Sequence, residues 1–144
     1  MAVRKANAVW EGGGLKEGKG RVSLGSGAWE GRYDFGSRFE EGGGTNPEEL
    51  IGAALAACFS MAFAAGLGRA GFPPQRVATA AKVHIEKVAE GFGVTRIELD
   101  CEAQVPGIDE AAFQEHARKA KETCPISKAL GAVPEIALQA RLAS

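Results

Sequence analysis

Thr45-Asn46-Pro47-Glu48-Glu49-Leu50-Ile51-Gly52-Ala53-Ala54-Leu55-Ala56-Ala57-Cys58-Phe59-Ser60-Met61 is the stretch on which the architecture of the chain turns. Asn46 suits a helix N-cap, Pro47 fits the first helical position, and Glu49 is placed for a capping-box contact. The helix is predicted to run to about Arg69, ahead of Gly71 and the Pro73-Pro74 pair that would stop it. Small residues occur on every side of it, which predicts burial all round. A chain of 144 residues has little material with which to surround such a helix. A second copy packed against it, with Ala and Gly permitting close approach, is the economical solution. The stretch thus predicts a homodimer with these helices at its centre.

The same stretch needs a membrane check. Leu50 to Leu67 is uncharged, and its length is close to the ~18 residues of a transmembrane candidate. It is mostly Ala and Gly, with Ser60 and Cys58 inside and Glu48, Glu49 and Arg69 at its borders, so it reads as a buried helix and no membrane partner is expected. Apolar residues at 45 % and charged residues at 24 % are ordinary for a soluble globular chain. The length fits one domain, residues 1–144, around a single core. A formal charge of −1 gives no electrostatic case for nucleic acid. Met1 to Asn7 has no apolar run and reads as the start of a mature cytoplasmic protein. Three cysteines without a CxxC pair indicate neither a disulfide scaffold nor a zinc knuckle.

Upstream of the helix, Asn7 to Trp10, Gly20 to Leu24 and Gly31 to Phe35 read as strands of a meander separated by glycine turns. Gly42-Gly43-Gly44 reads as a flexible hinge that also leaves room for a backbone or ligand to approach. Downstream, Val77 to Val88 and Gly93 to Val105 alternate as strands. In the second, Ile97, Leu99, Cys101, Ala103 and Val105 share one face. Asp109 caps a predicted helix from about Glu110 to Glu122, with Phe113, Ala117 and Ala120 as its apolar stripe. Cys124-Pro125 starts a short helical segment to about Leu130, and Ile136 to Leu142 alternates into a final strand. The fold class is α+β, without the alternation of a dinucleotide-binding fold.

Two thiols are the candidates for chemistry. Cys58 lies in an apolar helix, where desolvation raises a thiol's pKa and suppresses the reactive thiolate. It becomes reactive only if a cation and a charge-assisted hydrogen bond are brought to it. Cys124 precedes a proline and is a natural N-cap, whose thiol would face free backbone N–H groups. A buried small side chain at a turn is the equally open alternative. Cys101 reads as core packing. His84 and His116 read as solvated surface residues, and no spacing joins them into a metal site or a hydrolase. The glycine runs match no nucleotide-binding motif.

The segments Thr45 to Leu50, Ala57 to Met61 and Cys124-Pro125-Ile126-Ser127 together resemble the OsmC/Ohr family of thiol-dependent peroxidases. Val9-Trp10-Glu11-Gly12, Ser37-Arg38-Phe39-Glu40 and Val105-Pro106-Gly107-Ile108 extend the resemblance through nearly the whole chain. An arginine placed just before Thr-Asn-Pro-Glu is similar to the OsmC branch; in Ohr proteins it lies nearer the N-terminus. The resemblance implies an intertwined homodimer, two long central helices wrapped by antiparallel β-sheets. It implies Cys58 as peroxidatic cysteine, Cys124 as resolving cysteine, Arg38 as the cation beside the thiolate and Glu48 as the carboxylate holding Arg38. Organic hydroperoxides, and more weakly hydrogen peroxide, are the implied substrates. A small dithiol or lipoyl protein is the implied reductant, with neither metal nor flavin as cofactor.

Glu48 and Cys58 are ten residues apart (58 − 48), about 15 Å along a helix. One helix cannot bring them together, whereas an antiparallel helix from a second chain can. The expectation is therefore a shared site in which Arg38 and Glu48 serve the partner's Cys58. Two rivals remain: a non-catalytic ligand-binding or stress-structural dimer, and a hotdog-type hydrolase, which lacks a placed carboxylate–histidine pair. Phe35, Phe39 and Met61 are candidate apolar lining for a substrate pocket, with core packing as the alternative.

Overall fold

The structure is a computed structural model that describes residues 1–143. Its contacts group into two compact units, Met1–Leu50 and Ile51–Ser144.

In the first unit, β1 (Ala6–Glu11), β2 (Lys19–Leu24) and β3 (Glu30–Tyr33) form an antiparallel meander in that order. The register sets Trp10 opposite Gly20 and Gly20 opposite Tyr33, and the two rings lie 5.6 Å apart. The third strand stops short of the expected Phe35. Asp34 instead opens helix α1 (Phe35–Phe39): its carboxylate accepts the Ser37 N–H at 2.9 Å, while Ser37 Oγ accepts the Asp34 N–H at 2.9 Å. That reciprocal box satisfies two donors that a strand end would leave to water. The glycine triplet is used for close approach. Gly44 takes φ 122°, and a Cβ there would lie 2.7 Å from the Arg32 carbonyl oxygen. All six residues of β1 are exposed, as are Trp29, Leu15 and Leu24. The fully buried apolar side chains of the described residues all lie between Leu55 and Cys124.

The long helix α2 (Pro47–Arg69) forms as expected, with Asn46 Oδ1 accepting the Glu49 N–H at 2.7 Å. The Glu49 carboxylate does not close the expected box; it accepts from Thr45 Oγ1 at 2.9 Å. Leu55, Phe59, Phe63 and Leu67 recur every four residues and are fully buried. They join Ile97, Leu99, Cys101, Phe113 and Ala117 in one core, where each large side chain contributes about 1.5–3 kcal/mol. The Phe63 ring meets Phe59 at 5.6 Å and Phe113 at 5.3 Å. A single chain encloses only this face of α2. Ala53, Ala54, Ala57, Met61, Ala65 and Gly68 are exposed, Met61 at 75 %. Among the described residues α2 is the one helix long and apolar enough to cross a membrane, with 28 % of its most apolar window buried.

β4 (Arg76–Val88) and β5 (Gly91–Gln104) pair antiparallel, and β6 (Glu135–Leu142) pairs with β5. The α+β class holds, with one pairing outside the antiparallel expectation: β6 runs parallel to β5. The intervening α3 (Glu110–Thr123) and α4 (Pro125–Ala129) make the helical crossover that a parallel pair requires. Asp109 caps α3 through the Ala112 N–H at 2.7 Å.

Candidate active site

Arg38 and Glu48 are brought together within the first unit. Arg38 lies in the last turn of α1 and Glu48 in the first turn of α2. Arg38 Nη2 donates to Glu48 Oε1 at 2.7 Å, and Nε donates to Oε1 and Oε2 at 3.2 and 3.1 Å. The carboxylate is buried, while the guanidinium keeps about a third of its surface exposed. A two-point fork of this kind fixes the plane of the guanidinium as well as its position. The guanidinium carbon also sits 5.2 Å from the Phe39 ring.

A buried polar network around Ser37 holds that pair in place, and it was not anticipated from the sequence. Ser37 Oγ donates to the Thr45 carbonyl at 2.7 Å, and Asn46 Nδ2 donates to the Ser37 carbonyl at 3.0 Å. Together they tie the end of α1 to the start of α2. The legible signal was Asp34-x-x-Ser37, a box sequence one residue before Arg38.

Cys58 and Cys124 are brought together within the second unit, and both are free thiols. Pro125 places Cys124. It lacks an N–H, and the residue before it is driven out of helical geometry, so α3 stops and α4 restarts in a new direction. Cys124 caps both helices with φ −55° and ψ 125°, and it is fully buried. The sulfur makes no capping hydrogen bond, so the N–H groups of Ser127 and Ile126 act on it as nearby dipoles. The two thiols are neighbours that act on each other's ionisation, and they do so unequally. Burial pushes the half-buried Cys58 thiol up, and the Cys124 sulfur adds to the effect, with the Ile126 N–H opposing. Burial also acts upward on Cys124, but the Cys58 thiol and the Ser127 and Ile126 N–H groups outweigh it and hold Cys124 below the ordinary thiol range. The cation that Cys58 needs does not come from α2 itself, since Glu48, Glu49 and Arg69 are its only charged residues and they stand at its ends.

The remaining candidates fall outside this constellation. Cys101 is fully buried in the core, and burial pushes its thiol up against the lowering effect of the Thr79 hydroxyl. Both histidines lie at the surface, each partly covered. His84 is half-buried and meets Glu98 at 2.6 Å. His116 is also half-buried and borders a hollow with Ala62, Gly66, Arg69 and Lys119. Among the described residues no group of three histidine, cysteine or acidic side chains is placed to hold a metal ion. Phe35 and Phe39 pack on each other at 5.2 Å, and Met61 lies on the exposed face of α2.

Known proteins share this fold and much of this sequence. Residues 40–139 match the family model described as OsmC-like protein. The chain is 51 % identical to Peroxiredoxin OsmC of Escherichia coli (strain K12) over 142 residues, 98 % of this chain and 97 % of that protein. It is 37 % identical to the Organic hydroperoxide resistance protein of Xanthomonas axonopodis pv. citri (strain 306) over 89 residues, 61 % of each. Among solved structures, an organic hydroperoxide resistance protein from Elizabethkingia anophelis, with crystallant-derived thiocyanate bound, superposes with a TM-score of 0.71. The two are 27 % identical, and the match covers 100 % of this chain and 97 % of that one. An OsmC like protein from Mycoplasma pneumoniae reaches a TM-score of 0.77 over 99 % of both chains, and at 17 % identity it speaks for the fold alone. The chain belongs to the OsmC family, on the branch that its Arg38-Phe39-Glu40 segment implies.

Proposed function

We propose that the chain reduces organic hydroperoxides, and more weakly hydrogen peroxide, through Cys58 and Cys124, as a stress-defence peroxidase. The observation that carries this reading is the pairing of two free thiols that act on each other's ionisation, one half-buried and one sealed. Cys58, the accessible sulfur, attacks the distal peroxide oxygen as thiolate. The O–O bond breaks, the departing alkoxide takes a proton, and Cys58 becomes a sulfenic acid. The Cys124 thiol then condenses with it, releasing water and leaving a Cys58–Cys124 disulfide. A dithiol or lipoyl protein reduces that disulfide by exchange. In a reducing cytoplasm, where we place the protein, such a disulfide is transient.

The active unit in this reading is a homodimer with one OsmC-like domain per chain. The exposed small-residue face of α2 packs against its copy, and Arg38 with Glu48 serves the partner's Cys58. Three features support it. The first unit has no fully buried apolar side chain of its own. The central helix is covered on one side only. Within its own unit Cys58 is held toward the protonated form.

Stopped-flow mixing of reduced protein with cumene hydroperoxide tests the peroxidase reading. The expected result is rapid loss of two thiols per chain, abolished by Cys58→Ser and reduced to one by Cys124→Ser. Retention of all three thiols would leave a non-catalytic dimer as the better reading.

A further inference from the structure

Ser127 occupies the third position of α4, where a side chain reaches back toward the N-cap residue, here Cys124. It is 9 % exposed, and its Oγ is one of two fully buried side-chain oxygens among the described residues without a hydrogen-bond partner. An unmated buried hydroxyl costs free energy of the order of a lost hydrogen bond, so its retention asks for a state in which it is used. Its neighbour is the sealed Cys124 sulfur, and the hydroxyl is among the groups that favour a negative charge there.

Building on the peroxidase reading, we propose that Ser127 is a catalytic residue of the recycling step, its hydroxyl donating to Cys124 Sγ as that sulfur leaves the Cys58–Cys124 disulfide. Access decides which sulfur is attacked, because Cys124 is fully buried and Cys58 is not. A thiolate of the reductant bonds to Cys58 Sγ, the Cys58–Cys124 bond breaks, and its electron pair passes to Cys124 Sγ. The second thiol of the reductant, losing its proton, then attacks the mixed disulfide. The reductant departs as a cyclic disulfide, Cys58 is released as thiolate, and the two protons end on the enzyme's thiols. The first exchange runs faster the better Cys124 accommodates charge. Ser127 Oγ, together with the Ser127 and Ile126 N–H groups, supplies that accommodation.

The test compares native full-length protein with Ser127→Ala and Ser127→Thr. Dithiothreitol reduction of the preformed disulfide should slow about fivefold in Ser127→Ala, more than oxidation by cumene hydroperoxide slows, and Ser127→Thr should recover most of it. In a Cys58→Ser background, Ser127→Ala should also move Cys124 ionisation, followed by thiolate absorbance, to higher pH. Unchanged reduction and unchanged ionisation would overturn the assignment. So would a Ser127→Ala protein that fails to fold, since the hydroxyl has no other bond to lose. Failure of the native protein to form the disulfide would sink the peroxidase reading, while the ionisation comparison would still decide the role of Ser127.

Discussion

Arg38→Lys is expected to lose about 100-fold or more in the rate of Cys58 oxidation by cumene hydroperoxide, although a cation remains at the position. Thiolate formation cannot account for a loss of that size. A free thiol with a pKa of about 8.5 is already about 3 % ionised at pH 7, so complete ionisation is worth only about 30-fold, or roughly 2 kcal/mol. The rest must act on the breaking O–O bond. Glu48 engages Nε and Nη2 of Arg38, which fixes the guanidinium plane and leaves Nη1 outside the fork, the group we propose for the departing oxygen. A lysine ammonium is a point charge on a flexible stem and cannot hold the carboxylate and aim a second donor in one plane. The check is to measure the oxidation rate and the Cys58 ionisation in the same variant. A rate loss fully explained by thiolate fraction would remove Arg38 from the bond-breaking step.

Ala65→Glu is expected to convert the proposed dimer to monomers and to lower peroxidase rate by at least about 100-fold. Ala65 lies seven residues past Cys58 (65 − 58) on the exposed stripe of α2, so the carboxylate touches neither thiol. In a single chain it would simply be solvated. Between two helices packed through Ala and Gly it would be a buried, unpaired charge costing about 3–5 kcal/mol. Sedimentation velocity reads the oligomer, and stopped-flow reads the rate. A dimer of native strength in this variant would show that the small-residue face of α2 is not the interface.

The cap, the proline and the apolar run made α2 legible in the sequence, because each is a local signal with one reading. The same was true of Asp109 and of the alternation in β5. The signals that failed were those in which two local preferences competed. Tyr33-Asp34-Phe35 carries strand-forming rings, yet the Asp34–Ser37 box ends the strand and turns Phe35 into helix. The direction of β6 depends on what lies between it and β5, which no pattern within Ile136 to Leu142 can express. Glu49 suited a box with Asn46 by spacing, but the Thr45 hydroxyl lay closer to hand. At the candidate site, the thiol pair and the Arg38–Glu48 pair came from motif resemblance; the structure joins Arg38 to Glu48, and it places the two thiols where each acts on the other's ionisation. Ser127 stands out in the sequence only as the last residue of Cys124-Pro125-Ile126-Ser127. Its burial and its unmated hydroxyl are properties of packing, which a sequence does not display.

The central claim is that each site is built from two chains, and mixing defective chains tests it most directly. Arg38→Ala chains and Cys58→Ser chains, inactive apart, would be unfolded together, refolded and assayed with cumene hydroperoxide. If Arg38 serves the partner's Cys58, half of the dimers are mixed and each holds one complete site, so about a quarter of the native rate returns. If Arg38 serves the Cys58 of its own chain, every site in every dimer lacks one of the two, and the mixture stays as inactive as its parents.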